Sequence, residues 1–344
     1  MSLHSEINEQ PAAMQTLLGK QAEIARIAAE IRSIDPAYVF LAARGTSDNA
    51  GRYANYLWGA YNRLPVALAT PSLFTFYGQS PLLKGALVTT VSQSGKSPDI
   101  IAVVEEGKRQ GCASLAITNA PDSPLAAASD FVIDIAAGPE KAVAATKTYT
   151  AELLAMALLS IELADDPVRR ADLQKLPIWA QQVLALDEEI ARLAERFRYM
   201  QHCVVIGRGF NYATAFEWSL KMKELTYSVA EPYSSADFQH GPIAMVERGF
   251  PVFVAAPSGV ILPDMLGLLE NLRETHHAEL TVISDNAEAL ALAQSPIPLP
   301  AGIPEWLSPL IAIIPAQLFC YHLTRARGFD TEAPRTIRKV TETH

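Results

Sequence analysis

The chain has 344 residues, more than one α/β layer usually fills, so two domains are expected. Hydrophobic residues make up 49% and charged residues 19%, which supplies material for large buried sheets and excludes a disordered chain. The net charge of -9 offers no basic field for a polyphosphate backbone, which argues against a nucleic-acid partner.

Cys112, Cys203 and Cys320 are odd in number and far apart, with no CxxC pair, so neither a disulfide framework nor a structural zinc site is expected. A reducing cytoplasm fits this usage. The segment Met1 to Gln10 carries His4, Glu6 and Glu9 where an export signal needs basic residues and then an apolar run, and no signal is read. The most apolar stretch, Trp306 to Leu323, contains Pro309, Pro315, Gln317 and His322. It reads as a buried helix, and no membrane role is expected.

In chain order, Tyr38 to Ala42 is a short apolar strand, Arg44-Gly45-Thr46-Ser47 a small-residue turn, and Tyr53, Tyr56 and Leu57 mark a helix. A second strand, Leu87 to Val91, runs into Ser92-Gln93-Ser94-Gly95-Lys96-Ser97, and Pro98 opens the next helix where proline is preferred. A third strand, Ser114 to Ile117, follows Gly111. This alternation predicts a parallel sheet with helices on both faces. The order then returns 164 residues further on: Cys203 to Ile206 is a strand, Gly207-Arg208-Gly209 a turn, and Tyr212 to Tyr227 a helix. Ser94-Gly95 matches Ser258-Gly259 at the same offset after the strand Pro251 to Ala255, and Ile117-Thr118-Asn119 resembles Ile283-Ser284-Asp285 two residues further along. Three blocks in the same order and nearly the same spacing indicate a duplicated domain. The expected organisation is a helical segment over 1–34, a first domain over 35–180, a second over 181–330, and a tail over 331–344. Residues 150–200 read as connecting helices, broken at Asp165-Asp166-Pro167 and at Pro177.

Ligands of parallel sheets gather where strands end and helices begin. Ser47 and the run Ser92 to Ser97 stand at such ends. Ser92, Gln93, Ser94 and Ser97 give four neutral donors in six residues, and Gly95 lets the backbone turn closely around an anion. A phosphate monoester suits them, although by composition Ser97 could equally serve only to cap the helix begun at Pro98. The equivalent loop of the second half, Ala256-Pro257-Ser258-Gly259, has Ala and Pro in place of Ser92 and Gln93. That asymmetry favours one phosphate site, in the first half.

The segments Gly45-Thr46-Ser47, Ser92 to Ser97 and Ala144-Ala145-Thr146-Lys147 resemble the sugar-binding segments of sugar isomerase domains. Glu224-Leu225-Thr226-Tyr227, His240-Gly241-Pro242 and the tail Pro334-Arg335-Thr336-Ile337-Arg338-Lys339 extend the resemblance to the isomerase portion of glucosamine-6-phosphate synthases. It runs from about residue 35 to the C-terminus, and it implies two doubly wound parallel-sheet domains of flavodoxin-like order. It also implies that Thr46, Ser47, Ser92, Gln93, Ser94 and Ser97 bind a sugar phosphate, with Glu140, Val143 and Ala145 lining the site. Ala145 stands where the synthase has a serine, which leaves the choice of sugar open.

Lys221 and Glu224 lie three apart on a predicted helix and share a face, which by spacing alone describes an ordinary surface ion pair. The resemblance gives them another meaning: Glu224 moves the proton between C1 and C2, and Lys221 assists the open-chain sugar. His240, presented from a turn before Gly241-Pro242, is by the same resemblance the ring-opening acid/base, placed in the neighbouring subunit's site of a homodimer. Lys339, in a tail whose composition reads as a solvated end, becomes an amine that folds over the sugar and forms a Schiff base with the ketose carbonyl. No metal or organic cofactor is implied. The synthases carry an N-terminal glutaminase, for which about 35 residues ahead of the first strand leave no room. The expected reaction is therefore deamination of glucosamine 6-phosphate to fructose 6-phosphate and ammonia. Aldose/ketose 6-phosphate isomerisation, deglycation of a fructosyl-amine 6-phosphate, and non-catalytic sugar-phosphate sensing are the alternatives.

Overall fold

A computed structural model describes residues 2–339. It forms two compact units: an N-terminal unit of residues 12–141, 145–175 and 338–339, and a C-terminal unit of residues 2–11, 142–144 and 176–337.

The N-terminal unit is built on five parallel strands, β1 (Tyr38–Ala42), β2 (Val66–Leu68), β3 (Ala86–Ser92), β4 (Ala113–Thr118) and β5 (Phe131–Asp134). They lie in the order β2-β1-β3-β4-β5, with Phe40 opposite Val88 and Val88 opposite Ser114. That is the flavodoxin-like order, whose reversal falls between β1 and β3. Helix α1 (Gly45–Asn62) follows β1, and α2 (Pro98–Arg109) follows β3. The central strand β3 is buried along its whole length, as the run Ala-Leu-Val-Thr-Thr-Val-Ser requires when both faces are covered. Helix α3 (Lys147–Ala164) is buried nearly all round and packs on α1.

In the C-terminal unit β6 (His202–Gly207), β7 (Val229–Ser234), β8 (Pro251–Ala255), β9 (Glu279–Ser284) and β10 (Ser295–Pro298) form a second parallel sheet, ordered β10-β9-β8-β6-β7. Read from β6, this is the topology of the first sheet. The repeat extends to side chains: Arg44 Nε meets Asp99 at 2.7 Å, and Arg208 meets Asp264 at 2.7 Å. The sequence pattern showed the three inner strands of the first sheet and β6 and β8 of the second, marked only the end of β9 by its likeness to β4, and missed β2, β5, β7 and β10. All four lie at sheet edges, where short and partly polar segments suffice, and Pro296 and Pro298 are tolerated in β10 because it is an edge.

Helix α4 (Tyr212–Lys221) passes into a π turn over Met222–Thr226, and Tyr227 stops it in the left-handed region at φ 58°. The single helix expected over Tyr212 to Tyr227 is thus broken by the wider turn, a local irregularity that often accompanies function. Helix α5 (Leu262–Glu274) packs on β9. Helix α6 (Ser308–Ala326) is, among the described residues, the one helix long and apolar enough to cross a membrane. Leu310 to Cys320 are essentially unexposed within the unit, so its apolar surface is spent in the core, as read from sequence. Its Phe319 joins Phe197, Trp218 and Phe253 in an aromatic cluster with centroid separations of 5.1–6.2 Å. Each fully buried ring of this kind contributes about 2–3 kcal/mol of transfer free energy.

The helix Leu3–Asn8 is fastened to this unit by polar contacts. Glu6 is buried and accepts from Ala142 N, while Asp187 receives His4 Nε2 at 2.9 Å and His322 Nε2 at 2.7 Å. Burial pushes the Asp187 carboxyl up, but the two imidazoles pull it down further, and the net shift is downward. A carboxyl whose folded pKa is depressed stabilises the fold above its ordinary value and loses that contribution as pH falls through the folded value. Asp187→Asn is therefore expected to cost about 1–2 kcal/mol near neutrality, with the difference from wild type shrinking below about pH 4. Thermal melts across that range measure it.

Candidate active site

The phosphate-loop residues lie at the carboxyl ends of β1 and β3. Gly45 adopts φ 55°, which turns the chain so that Thr46 and Ser47 enter the first turn of α1. Ser47 is buried, and its Oγ donates to Glu152 on α3 at 2.8 Å. Glu152 escaped the sequence reading because nothing in its spacing marks it. In the second loop the Gly95 N–H donates to Ser92 Oγ at 3.1 Å. Ser97 stands at the N-cap of α2 with extended backbone, yet its hydroxyl makes no cap bond, so the capping role open in the sequence is not taken up. Among the described residues, the side chains of Gln93, Ser94 and Ser97 engage no protein partner, which leaves three neutral donors at the start of a helix. Such donors suit a phosphate monoester.

Gly95 is required twice over. Its φ is 62°, and a Cβ there would lie 2.0 Å from Ser123 Oγ. Gly95→Ala is expected to cost about 1–3 kcal/mol in strain, and to raise the KM for any phosphorylated substrate by roughly tenfold or more as the loop shifts. Steady-state kinetics and thermal melts together check both effects.

The second copy of the loop is closed from within. Ser258 N donates to Asp285 Oδ1 at 2.6 Å, and Val260 N to Glu305 Oε2 at 2.8 Å. A Cβ on Gly259 would meet the Glu305 carboxylate carbon at 2.2 Å. Two carboxylates thus hold the amides that an anion would need, and each like charge at about 4 Å opposes one by on the order of 4 kcal/mol. In the first copy Asp285 is matched by the neutral Asn119, whose side chain bonds Gly138 O and Ala137 N. The asymmetry read from the serines is deeper than their number, because the first copy also has a neutral amide where the second has the Asp285 carboxylate.

Glu140 is fully buried and receives Thr146 N at 2.9 Å, Thr148 N at 3.2 Å and Thr148 Oγ1 at 2.8 Å. Lys339 Nζ also reaches it, at 2.5 Å. The tail lysine is therefore not a frayed end. Ala145 lies half-buried between these contacts, and Val143 is half-buried with the C-terminal unit.

Lys221 ends α4 with its side chain 1% exposed, 2.5 Å from Glu224 Oε2 and 3.3 Å from Glu217 Oε1. Burial pushes the Lys221 ammonium toward deprotonation, but the Glu217 and Glu224 carboxylates outweigh it, and the net shift is upward. Glu217 is unexposed and Glu224 is 24% exposed, so the cation is shared between a sealed carboxylate and one that reaches the surface. The surface pair suggested by spacing alone is thus a mostly buried triad. Its third member, Glu217, sits one turn before Lys221 and was legible only as another acidic residue.

His240 caps the short helix Ser235–Gln239, with Gly241 at φ 135° behind it, and is exposed as a turn position predicts. Arg335, in the tail, donates its backbone N–H to Tyr227 OH at 2.9 Å, and its guanidinium lies 4.4 Å over the Tyr227 ring.

The model of the SIS domain matches residues 34–161 and again 197–326. The chain belongs to the SIS domain family. Over 357 aligned residues it is 36% identical to the glutamine–fructose-6-phosphate aminotransferase (isomerizing) of Mycobacterium tuberculosis, covering 97% of this chain and 56% of that protein. It therefore spans about half the length of the curated relatives it matches. The C-terminal domain of glucosamine-fructose-6-phosphate aminotransferase from Francisella tularensis superposes with a TM-score of 0.88 at 28% identity, covering 96% of this chain and 98% of that one. A structure from Silicibacter pomeroyi, described as a phosphosugar isomerase, gives 0.86 at 34% identity, covering 96% of this chain and 100% of that one. Ser47, Ser92 to Ser97, Glu140 and Ala145 fall in the first SIS repeat; Lys221, Glu224 and His240 fall in the second; Lys339 follows it.

Proposed function

We propose that this SIS protein deaminates glucosamine 6-phosphate to fructose 6-phosphate and ammonia. The observation that carries the chemistry is the Glu217–Lys221–Glu224 triad, in which a partly exposed carboxylate is fixed by a buried ammonium. A base so placed is oriented without being sealed from a substrate. Thr46, Ser47, Gln93, Ser94 and Ser97, with Ser92 bracing the loop, bind the 6-phosphate. His240 opens the ring by protonating the ring oxygen as the anomeric hydroxyl loses its proton. Glu224 takes the C2 proton and returns it to C1, leaving a ketimine at C2. Water adds to that carbon, the C–N bond breaks, and ammonia departs as the ketone forms. Lys221 and Lys339 serve the open-chain carbonyl, with Glu140 orienting Lys339. The exposed His240 ring supports a homodimer in which each subunit lends this imidazole to its neighbour. The three free, buried cysteines suit a reducing cytoplasm.

A panel of glucosamine 6-phosphate, fructose 6-phosphate and a fructosyl-lysine 6-phosphate tests the reading. Ammonia and fructose 6-phosphate from the first compound are expected. Aldose formation from fructose 6-phosphate without ammonia identifies an isomerase, lysine release from the third a deglycase, and binding without turnover a sensor.

A further inference from the structure

A cavity of about 550 Å³ in the C-terminal unit is lined by Arg198, Arg327 and Arg335 together with Tyr199, Tyr227 and Phe329 and, among the described residues, by no carboxylate. Three positive charges without a counter-ion in their wall run against the protein's net charge of -9. Glu279, which accepts from the Tyr199 hydroxyl, is itself paired with Arg196 at 3.1 Å.

Arg327 is held from behind. Its Nη1 donates to Thr226 O at 2.7 Å and Ser228 Oγ at 2.8 Å, and its Nη2 to Phe197 O at 3.3 Å and to Met200 O. Its Nε is buried and finds no partner among the described residues. A half-buried guanidinium balanced only by neutral acceptors carries a desolvation cost that an anion would offset. Arg335 lies 4.4 Å from the Tyr227 centroid and 5.0 Å from that of Phe329, and these two rings stand 5.0 Å apart. The wall thus presents forked donors for a phosphate beside aromatic faces for a planar ring. The volume falls in the range of small-molecule sites.

We propose that this cavity binds a nucleoside phosphate, its phosphate on the exposed Arg198 and Arg335 in the field of the half-buried Arg327 charge, and its base against the aromatic side chains. The cavity is lined by residues of the C-terminal unit alone and needs no particular reaction. It is built on Thr226 and Tyr227, which directly follow Glu224 in the π turn, so an occupant bears on the segment that carries the proposed base.

Calorimetric titration of the full chain with AMP and with pyrophosphate tests this. Saturable binding of both is expected, one AMP per chain, weakening as salt rises. Arg198→Ala/Arg335→Ala removes two exposed side chains and leaves Arg327 on its carbonyls; each lost charged contact is expected to weaken both probes roughly tenfold. Tyr199→Ala is expected to weaken AMP several-fold and leave pyrophosphate unchanged. Ser94→Ala/Ser97→Ala is expected to leave both affinities unchanged. Absence of saturable AMP binding overturns the proposal. So does AMP binding that survives the arginine variant, or that disappears with the serine variant.

Discussion

Glu224→Gln is expected to lower kcat on glucosamine 6-phosphate by about 10³-fold while leaving KM within a few-fold of wild type. The amide keeps the size of the carboxylate and can still accept from Lys221 Nζ, so the π turn and the buried charge lose little support. What disappears is the capacity to carry a proton between C2 and C1. Binding to the serine loop does not involve this group, which is why the effect should fall on kcat. Steady-state kinetics with a thermal melt separates the two contributions. A kcat close to wild type removes Glu224 from the mechanism, and a large loss of melting temperature assigns it to stability instead.

Lys221→Met should be the most destabilising single change in the site, by roughly 3–5 kcal/mol, because it leaves the unexposed Glu217 carboxylate without its cation. The sign with pH follows from the direction of the Lys221 shift. A lysine raised in the folded state contributes stability that is fully present below its unfolded pKa of about 10.4 and is lost only as pH climbs through the higher folded value. Wild type should thus keep this contribution across the neutral range. In the variant the orphaned carboxylate becomes easier to accommodate once protonated, so its deficit should narrow as pH falls. Adding Glu217→Gln to Lys221→Met should recover part of the loss, whereas a purely additive double variant contradicts a shared buried charge.

Most inner strands were readable because strands covered on both faces are near-continuous runs of apolar and β-branched residues, as in Ala86–Ser92 and Pro251–Ala255. Edge strands answer to weaker constraints, and Val66–Leu68 or Ser295–Pro298 look like loops until pairing supplies their hydrogen bonds. The serine loop was visible from its density of hydroxyls. The closure of its counterpart was not, since nothing near Gly259 in the chain announces that Glu305 comes to fill it. The same limit applies to Ser47 with Glu152, which are 105 residues apart, and to Lys339 with Glu140, which are 199 apart. Local pattern marks candidate side chains, while long-range partners decide which are braced and which stay available. The π turn is a further case, because Met222 to Thr226 are residues that an ordinary helix also accepts.

The most direct test of the central claim is ammonia release from glucosamine 6-phosphate, followed with fructose 6-phosphate formation in wild type and in Ser94→Ala/Ser97→Ala. Equal amounts of both products from wild type, with the variant reaching a similar kcat at a KM raised about tenfold or more, are the predicted result. No ammonia from wild type, or an unchanged KM in the variant, contradicts it.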